Sequence, residues 1–343
     1  MTDIGAVYFE KAQFEDARTY YQQALQLREK ANVPADIVRT VNNLGDTSVR
    51  MGQYDQAITQ YMRALDLWRS MKDTGGAAIT AYTMGVMFDY QGRYGAAINS
   101  KEGALKTFQE LKAKTTEAVE ITGGYGESLV LAGRGDEAKT YLNDALNLAN
   151  ELKNDAMVSQ ALVFLGDAAY FGGDFRSARA SYDKALAAAT RSKEPERILL
   201  AKVDLARIAA KEGPPAQAIA TLRPLQQQAD ELGLQNISVE CLLSTAEAMI
   251  RSHDNARAPQ ELERALLRAD TVGLKPQSAK AHYLLGNTLR ASGNQAEAQQ
   301  HYREVVKLLD GMRREAGAEK ILQRPDFKAM YEEATRESQA AKG

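Results

Sequence analysis

Apolar residues along this chain recur at spacings of three and four, in blocks that stop and restart in a regular cycle. That spacing places them on one face of an α-helix, so each block predicts a helix. In one cycle, Val41 and Leu44 mark a first helix, and Ile58, Tyr61 and Leu65 mark a second. Helix breakers separate the two blocks and predict a tight turn. Each cycle is therefore expected to be helix, turn, helix and a short link.

A small residue inside the first block of each cycle sets the register, and successive cycles are 40 or 41 residues apart. Twelve residues after this zero position every cycle has alanine, and seven residues after it most cycles have glycine. A fixed period of this kind is the signature of a repeat array. The eight zero positions are Gly5, Gly45, Gly85, Gly126, Gly166, Ala206, Ala246 and Gly286.

Glycine at the zero position needs a reason, because inside a helix it costs ~1 kcal/mol relative to alanine. Close approach of the two helices of a repeat supplies one. The residue sixteen positions later is large in every cycle, as Tyr61 is relative to Gly45. We expect this side chain to lie against the glycine backbone, so that small residues facing large ones fix the crossing of the helices.

The repeat resembles the tetratricopeptide repeat family, in the longer form of about 40 residues found in kinesin light chains, cell-polarity adaptors and bacterial regulators. The resemblance implies an all-α, right-handed superhelical solenoid of about eight helix-turn-helix repeats over residues 1–316. HEAT and armadillo arrays have periods of ~40–47 residues but no Gly-x-aromatic turn with alanines at fixed positions beyond it. The residues that carry the resemblance are Leu44-Gly45, Gly52-Gln53-Tyr54, Ala57, Tyr61 and Ala64.

The two ends of the array differ from its middle. Residues 317–343 form a tail in which Phe327, Met330, Tyr331 and Ala334 have helical spacing, which predicts an amphipathic capping helix over 326–338. The first repeat begins only four residues before its zero position, so its first helix is short. We expect either a chain cut from a longer protein or another element that covers this end. Pro224 is expected to kink or break the second helix of repeat six.

Composition narrows the function classes. The chain has 343 residues, with Lys+Arg 43 and Asp+Glu 45, and a net charge of −2 argues against a nucleic-acid-binding protein. The single cysteine, Cys241, excludes an internal disulfide or a multi-cysteine metal site. No apolar run reaches the ~18 residues of a membrane helix, and the N-terminus does not resemble a signal peptide. A cytoplasmic location is the default expectation.

No motif predicts catalysis. The sequence contains neither a G-x-x-x-x-G-K-[ST] phosphate loop nor a G-x-S-x-G nucleophile turn. The three histidines do not form a metal-binding motif, although His282 and His301 fall on the two helices of repeat eight. We therefore expect a protein that is not an enzyme and that has no cofactor and no metal site.

The resemblance implies that the first helices line a concave groove in which partners bind. First helices of repeats three to five carry a net charge of −6, and those of repeats six to eight carry +3. This polarity predicts a partner with a basic segment, with Tyr82 and Tyr170 as anchors. The candidate partner-binding residues are Asn42, Asp46, Tyr82, Asp89, Glu127, Asp167, Tyr170, Arg207, Tyr283, Asn287 and Arg290.

Three functions remain open from the sequence. The first is a scaffold that binds another protein or a peptide in its concave groove. The second is a structural protein whose terminal repeats stack end to end into oligomers or filaments, since a repeat array propagates its own interface. The third is a regulatory domain cut from a larger signalling protein.

Overall fold

The computed structural model describes residues 1–254 and 256–339, and the last four residues of the expected tail, 340–343, lie outside them. Within these ranges the chain forms 17 α-helices, one short 3-10 helix and no strand. The helices are α1 Thr2–Glu10, α2 Phe14–Ala31, α3 Pro34–Arg50, α4 Tyr54–Ser70, α5 Thr74–Tyr90, α6 Tyr94–Glu110, α7 Thr116–Leu131, α8 Gly135–Glu151, α9 Asp155–Phe171, α10 Phe175–Ser192, α11 Pro195–Glu212, α12 Pro215–Glu231, α13 Gln235–Arg251, α14 Ala258–Val272, α15 Lys275–Ala291, α16 Gln295–Arg313 and α17 Pro325–Gln339.

Helices α1 to α16 form eight antiparallel pairs, which confirms the predicted all-α repeat solenoid. Seven of the eight turns inside these pairs contain a left-handed residue, and glycine occupies five of them, as at Gly52 with φ 72°. His253 takes the same conformation in repeat seven, with φ 59°. In repeat six, Gly213 has φ −85° instead. Polar side chains begin several helices: Asp73 accepts a hydrogen bond of 2.8 Å from the Gly76 amide at the start of α5.

The zero-position glycines allow the close packing that the sequence predicts. A Cβ atom added to Gly45 would lie 2.5 Å from Cε1 of Tyr61, and one added to Gly286 would lie 2.8 Å from Cε1 of Tyr302. No side chain larger than hydrogen fits there unless the tyrosine moves. The tyrosine sixteen positions later therefore sets the distance between the paired helices.

Helix α12 runs without interruption through Pro224, so of the expected kink or break the structure excludes the break. Proline removes one backbone hydrogen bond of the helix. The flanking residues Leu222 and Leu225 are buried against repeat neighbours and hold both halves of the helix in place.

The solenoid winds back on itself, so that its early repeats touch its late ones. Nη2 of Arg50, at the end of α3, lies 2.8 Å from Oε2 of Glu196 on α11, and its Nη1 donates to the Leu232 carbonyl at 3.2 Å. A Cβ atom on Gly92 would lie 2.6 Å from Sδ of Met312 on α16. The turns of repeats two and three thus seal against repeats six to eight.

Apolar side chains extend this closing seam. Phe88 of α5 belongs to one buried cluster with Leu242 of α13 and Leu285 of α15. Tyr94 of α6 shares a second cluster with Met312 and with Phe327 of α17. Burial of this kind stabilises the closed form by roughly 25 cal/mol per Å² of apolar surface removed from water.

Helix α17 packs along α16, which confirms the predicted capping helix. The Tyr331 hydroxyl donates to Oδ1 of Asp310 at 3.0 Å, and Phe327, Met330 and Ala334 are buried. Among the helices described, none combines the length and the apolar character needed to cross a membrane.

Candidate functional site

The closed winding encloses a chamber of about 620 Å³ on the concave side of the solenoid. Its wall consists mainly of the first helices of repeats three to eight, which are α5, α7, α9, α11, α13 and α15, and of residues from α17. Concave sites with apolar walls and a few convergent polar groups are where proteins most often bind ligands.

Seven of the eleven candidate residues line this chamber. They come from five different first helices, so no single repeat builds the site. These residues are Tyr82, Asp89, Glu127, Asp167, Tyr170, Arg207 and Tyr283.

The other four candidates lie outside the chamber lining and three of them are engaged within the protein. Asp46 accepts a hydrogen bond of 2.6 Å from the Tyr61 hydroxyl, and Asn287 accepts one of 2.7 Å from the Tyr302 hydroxyl. Arg290 pairs at 2.8 Å with Glu333 and Glu337 of the tail helix. The fourth, Asn42, has its Oδ1 buried without a hydrogen-bond partner in the described chain.

Four carboxylates on successive first helices form an acidic wall: Asp89, Glu127, Asp167 and Asp204. Asp89 pairs with the buried Nζ of Lys101 at 2.5 Å and accepts a hydrogen bond of 2.6 Å from Ser128. Burial raises the pKa of Asp89 despite this partner. Lys101 stands sixteen residues after Gly85, where the other repeats have tyrosine or leucine, and its ammonium reaches the chamber wall.

Burial also raises the pKa of the other carboxylates in this wall. The pKa of Glu127 rises to about 8 and that of Asp204 to about 7, with the neighbouring Asp167 adding to both shifts. Desolvation and like charges both disfavour ionisation. The wall therefore holds more acid than its own cations neutralise.

Arg207 stands between the acidic wall and the rest of the chamber. Its Nη1 lies 2.9 Å from Oδ1 of Asp204, and its Nε lies 3.1 Å from Oε1 of Glu240. The guanidinium also lies over the ring of Tyr170, 4.4 Å from its centroid. A guanidinium held by two carboxylates and an aromatic face is fixed in position.

On the far side of Arg207, acidic and basic side chains of the chamber pair with one another. Lys211 lies 3.0 Å from Glu247, and Lys280 lies 3.2 Å from Glu240 and 3.1 Å from Glu247. Burial by itself would raise the pKa of Glu240, but Lys280 and Arg207 outweigh it and lower that pKa to about 2. Two glutamates of one chamber thus have pKa values shifted in opposite directions, because Glu240 has close cationic partners and Glu127 has no ion pair among the described residues.

The tail closes one side of the chamber. The Arg324 guanidinium lies between the rings of Phe171 and Phe327, 4.1 Å and 3.8 Å from their centroids, and donates to the Leu131 carbonyl at 3.2 Å. Sequence reasoning did not find Arg324, because nothing in the repeat register indicates where the tail returns.

Other lining residues had a signal in the sequence. Asp204 lies two residues before the zero position of its repeat, and Glu240 and Lys280 lie six before theirs. Asp204 lies three residues before the candidate Arg207, and Lys280 lies three residues before the candidate Tyr283, so each is one helical turn away on the same helix face. Extending the candidate positions by that turn would have found them.

The two histidines of repeat eight do meet, outside the chamber. Nδ1 of His282 and Nδ1 of His301 are 2.8 Å apart, and burial lowers the pKa of both rings. In the part of the chain that the structure describes, no three histidine, cysteine or acidic side chains come together as ligands for a metal ion.

Comparison with known proteins identifies the family to which the repeats belong. The model of the MalT-like TPR region matches residues 5–203, and the model of the tetratricopeptide repeat matches residues 243–312. No curated protein matches the sequence.

Solved structures share the fold at low sequence identity. A Rap protein complexed with Competence and Sporulation Factor has 14% identity and a TM-score of 0.64, over 92% of this chain and 98% of that one. The Rap conjugation gene regulator of plasmid pLS20, in complex with the Phr* peptide, has 17% identity and a TM-score of 0.62, over 89% and 77%. The apo form of the quorum sensor NprR from B. thuringiensis has 14% identity and a TM-score of 0.58, over 89% and 86%.

Proposed function

The chain belongs to the tetratricopeptide repeat family, in its MalT-like form, and we propose that it is a binding module, without catalytic activity of its own, that captures a short peptide segment in its concave chamber. The observation that carries the proposal is the chamber itself. Six first helices and the tail direct charged and aromatic side chains into one concave space of about 620 Å³, which is partly open to solvent. A space of that size suits a short segment and excludes a folded domain.

Similar folds support this choice of partner. Two of the similar structures, the Rap protein and the pLS20 regulator, are described with a bound factor or peptide. For the present chain that similarity supports a peptide or a protein segment as the partner. The chamber supports the same partner by its own chemistry, because its apolar and aromatic side chains can desolvate a segment and its charged side chains can pair with the charges of that segment.

The balance of charges favours a segment with a basic side chain. The acidic wall has four carboxylates, and the cations that pair with it are Lys101 and Arg207. Arg207 is also shared with Glu240, so the wall has more carboxyl groups than cations to pair with them. Oppositely charged partners gain both association rate and specificity from such a surface.

Filling the chamber tests the proposal. Leu200 of α11 lines the chamber and is half-buried, so Leu200→Trp places an indole inside it. Leu267 of α14 is 70% exposed, and Leu267→Trp adds the same ring outside. The ligand probe is an equimolar pool of synthetic hexapeptides, separated from free peptide by size exclusion and identified by mass spectrometry.

We expect the native protein and Leu267→Trp to retain the same members of the pool. Leu200→Trp should retain at least tenfold less, while its circular dichroism spectrum and melting temperature stay close to those of the native protein. If the native protein retains no peptide, or if both variants retain the same amount, the chamber is not the binding site.

End-to-end assembly has weaker support in the described residues. Ile4 and Val7 of α1 are 45% and 49% exposed, so the first helix pair carries an apolar edge. Helix α17 covers the other end of the array, and Arg290 of repeat eight is held by its glutamates. Stacking needs two complementary bare ends, and the structure offers one.

A further inference from the structure

A hydrogen bond recurs within the repeats between a tyrosine and the residue one position after the zero position. The Tyr61 hydroxyl donates to Asp46 and the Tyr182 hydroxyl donates to Asp167, both at 2.6 Å. In repeat eight the hydroxyl of the corresponding tyrosine donates to an amide oxygen in the same way. The tyrosine is the residue that packs on the zero-position glycine, so one side chain both sets the helix distance and satisfies the acceptor.

Repeat four has the acceptor without the donor. Glu127 stands one residue after Gly126, where Asp46 and Asp167 stand in their repeats, but the packing residue is Leu142. Leucine fills the slot, since a Cβ atom on Gly126 would lie 2.8 Å from its Cδ2, yet it has no hydrogen to donate. In the described chain, Glu127 has no hydrogen bond and no ion pair, and it lines the chamber.

Repeat seven shows that a different donor can serve the same position. Glu247 also follows its zero position by one residue and also faces a leucine, Leu262. It is compensated by two ammonium groups, with Lys211 at 3.0 Å and Lys280 at 3.1 Å. Glu127 is therefore the acid at this position that has no hydrogen bond and no ion pair in the described fold, although the charge of Lys101 acts on it from nearby.

A second unsatisfied acceptor lies beside it, on a residue that also lines the chamber. Asp89 is 5% exposed and its Oδ2 takes the hydrogen bonds of Lys101 and Ser128, while its Oδ1 is buried and has no hydrogen-bond partner among the described residues. Leaving such an atom unpaired is unfavourable, because it has lost water as a partner and gained no other donor. Two neighbouring carboxylates thus lack donors at one place on the wall.

Aromatic rings border this place. The ring of Tyr82 lies beside these carboxylates, against the backbone of Gly124. A Cβ atom added to Gly124 would lie 2.6 Å from Cε2 of the ring, so the absence of a side chain there makes room for it. Nζ of Lys101 lies 5.4 Å from the centroid of the same ring. A ring of this kind attracts a cation as well as an apolar stem.

We propose that Glu127, with Oδ1 of Asp89 beside it and Tyr82 as its border, is the seat of an ammonium or guanidinium group carried by the bound segment. This inference rests on the proposed function and specifies it: the ligand carries a lysine side chain, an arginine side chain or a free N-terminal ammonium that reaches this point. In repeat four the ligand supplies the missing hydrogen-bond donor, which Tyr61 and Tyr182 supply within their own repeats.

Replacing one ligand atom tests the seat. The probe is a pool of hexapeptides that each contain one arginine, together with the same pool in which citrulline replaces arginine. Citrulline keeps the length and shape of the side chain but has no charge. Both pools are tested with acetylated and with free N-termini, which separates a side-chain cation from a terminal ammonium. Retention is measured for the native protein, for Glu127→Gln and for Glu110→Gln, an exposed control on α6.

The native protein and Glu110→Gln should retain the arginine pool at least tenfold better than the citrulline pool, or the free N-termini better than the acetylated ones. Glu127→Gln should reduce that preference to less than twofold. Retention of both pools without a charge preference, or an unchanged preference in Glu127→Gln, would overturn the seat while leaving peptide capture intact. Failure of the native protein to retain any pool would instead contradict the proposed function.

Discussion

The hydroxyl of Tyr182 donates a hydrogen bond of 2.6 Å to Oδ1 of Asp167. This pair belongs to the packing of the repeat, because the ring also lies against the backbone of Gly166. The same slot in repeat four holds Leu142, and Glu127 beside it has no donor in the described chain. Leucine in place of tyrosine at the packing position thus leaves the carboxyl group of Glu127 at the chamber wall without the hydrogen bond that Asp167 has.

Glu127 should make the stability of the ligand-free protein depend on pH. Its pKa is raised from the ordinary 4.5 to about 8, mainly by burial. Between these values the folded protein binds more protons than the unfolded chain, so stability falls as the pH rises through this window. The charged and titratable groups that face Glu127 from the neighbouring helices are Tyr82, Asp89, Tyr90, Lys101, Asp167 and Asp204.

Glu127→Gln removes the group that binds this proton, so the free energy of unfolding of the variant should depend less on pH. At pH 9 we expect the variant to be more stable than the native protein by on the order of 1–2 kcal/mol, after allowance for screening by water in the chamber. At pH 4, where the native carboxyl is also neutral, the two should agree. Urea unfolding at a series of pH values measures this. Equal stability of the two proteins at pH 9 would show that Glu127 ionises without penalty.

Capture of a cationic segment should depend on pH through the same group. A cation binds the ionised carboxylate best, so retention of the arginine hexapeptides should increase as the pH rises from 6 to 8. Glu127→Gln should reduce this increase to the part that Asp204, with a pKa of about 7, contributes. An identical increase in the variant would place the titrating group elsewhere.

Two glycine-to-alanine changes should have opposite effects. Gly45→Ala places a methyl 2.5 Å from Cε1 of Tyr61 and should destabilise the protein by about 1–3 kcal/mol through overpacking. Gly103, inside α6, has no atom within 4 Å of an added Cβ, so Gly103→Ala should stabilise by up to ~1 kcal/mol through helix propensity. Thermal unfolding of both variants distinguishes packing from propensity, and equal shifts would contradict the packing role of Gly45.

The seam that closes the solenoid should respond to the loss of one arginine. Arg50→Gln removes the ion pair to Glu196 and weakens the bond to the Leu232 carbonyl. We expect a larger radius of gyration by small-angle X-ray scattering and faster amide exchange in α13. Arg69→Gln, which removes an exposed pair at 3.7 Å with Asp66, is the matched control and should leave both quantities unchanged. An unchanged radius for Arg50→Gln would mean that the apolar clusters alone keep the seam closed.

The local structure was predictable because each repeat specifies itself. The positions of Gly45, Ala57 and Tyr61 determine the two helices, their turn and their distance from each other within a single repeat. Pro224 does not break its helix, because tertiary burial of its neighbours outweighs the loss of one hydrogen bond.

The closed shape and the chamber were less predictable. Contacts such as that between Arg50 and Glu196 join residues 146 positions apart, and they depend on small rotations that accumulate from one repeat to the next. The same holds for Arg324, which enters the wall from the tail. Asn42 and Asp46 have the right position in repeat two, but that repeat does not line the chamber. Asn287 and Arg290 lie on α15, which does line it, but they are bonded to Tyr302 and to the tail helix.

The central claim is that Glu127 receives a cation because Leu142 gives it no hydrogen bond. Leu142→Tyr supplies the missing hydroxyl in the slot that tyrosine occupies in repeats two, five and eight, and Leu142→Phe supplies the ring without it. The measurement is the affinity of each variant for one arginine hexapeptide that the native protein retains. We predict that Leu142→Tyr binds at least fivefold more weakly than Leu142→Phe. Equal affinities of the two variants would contradict the claim.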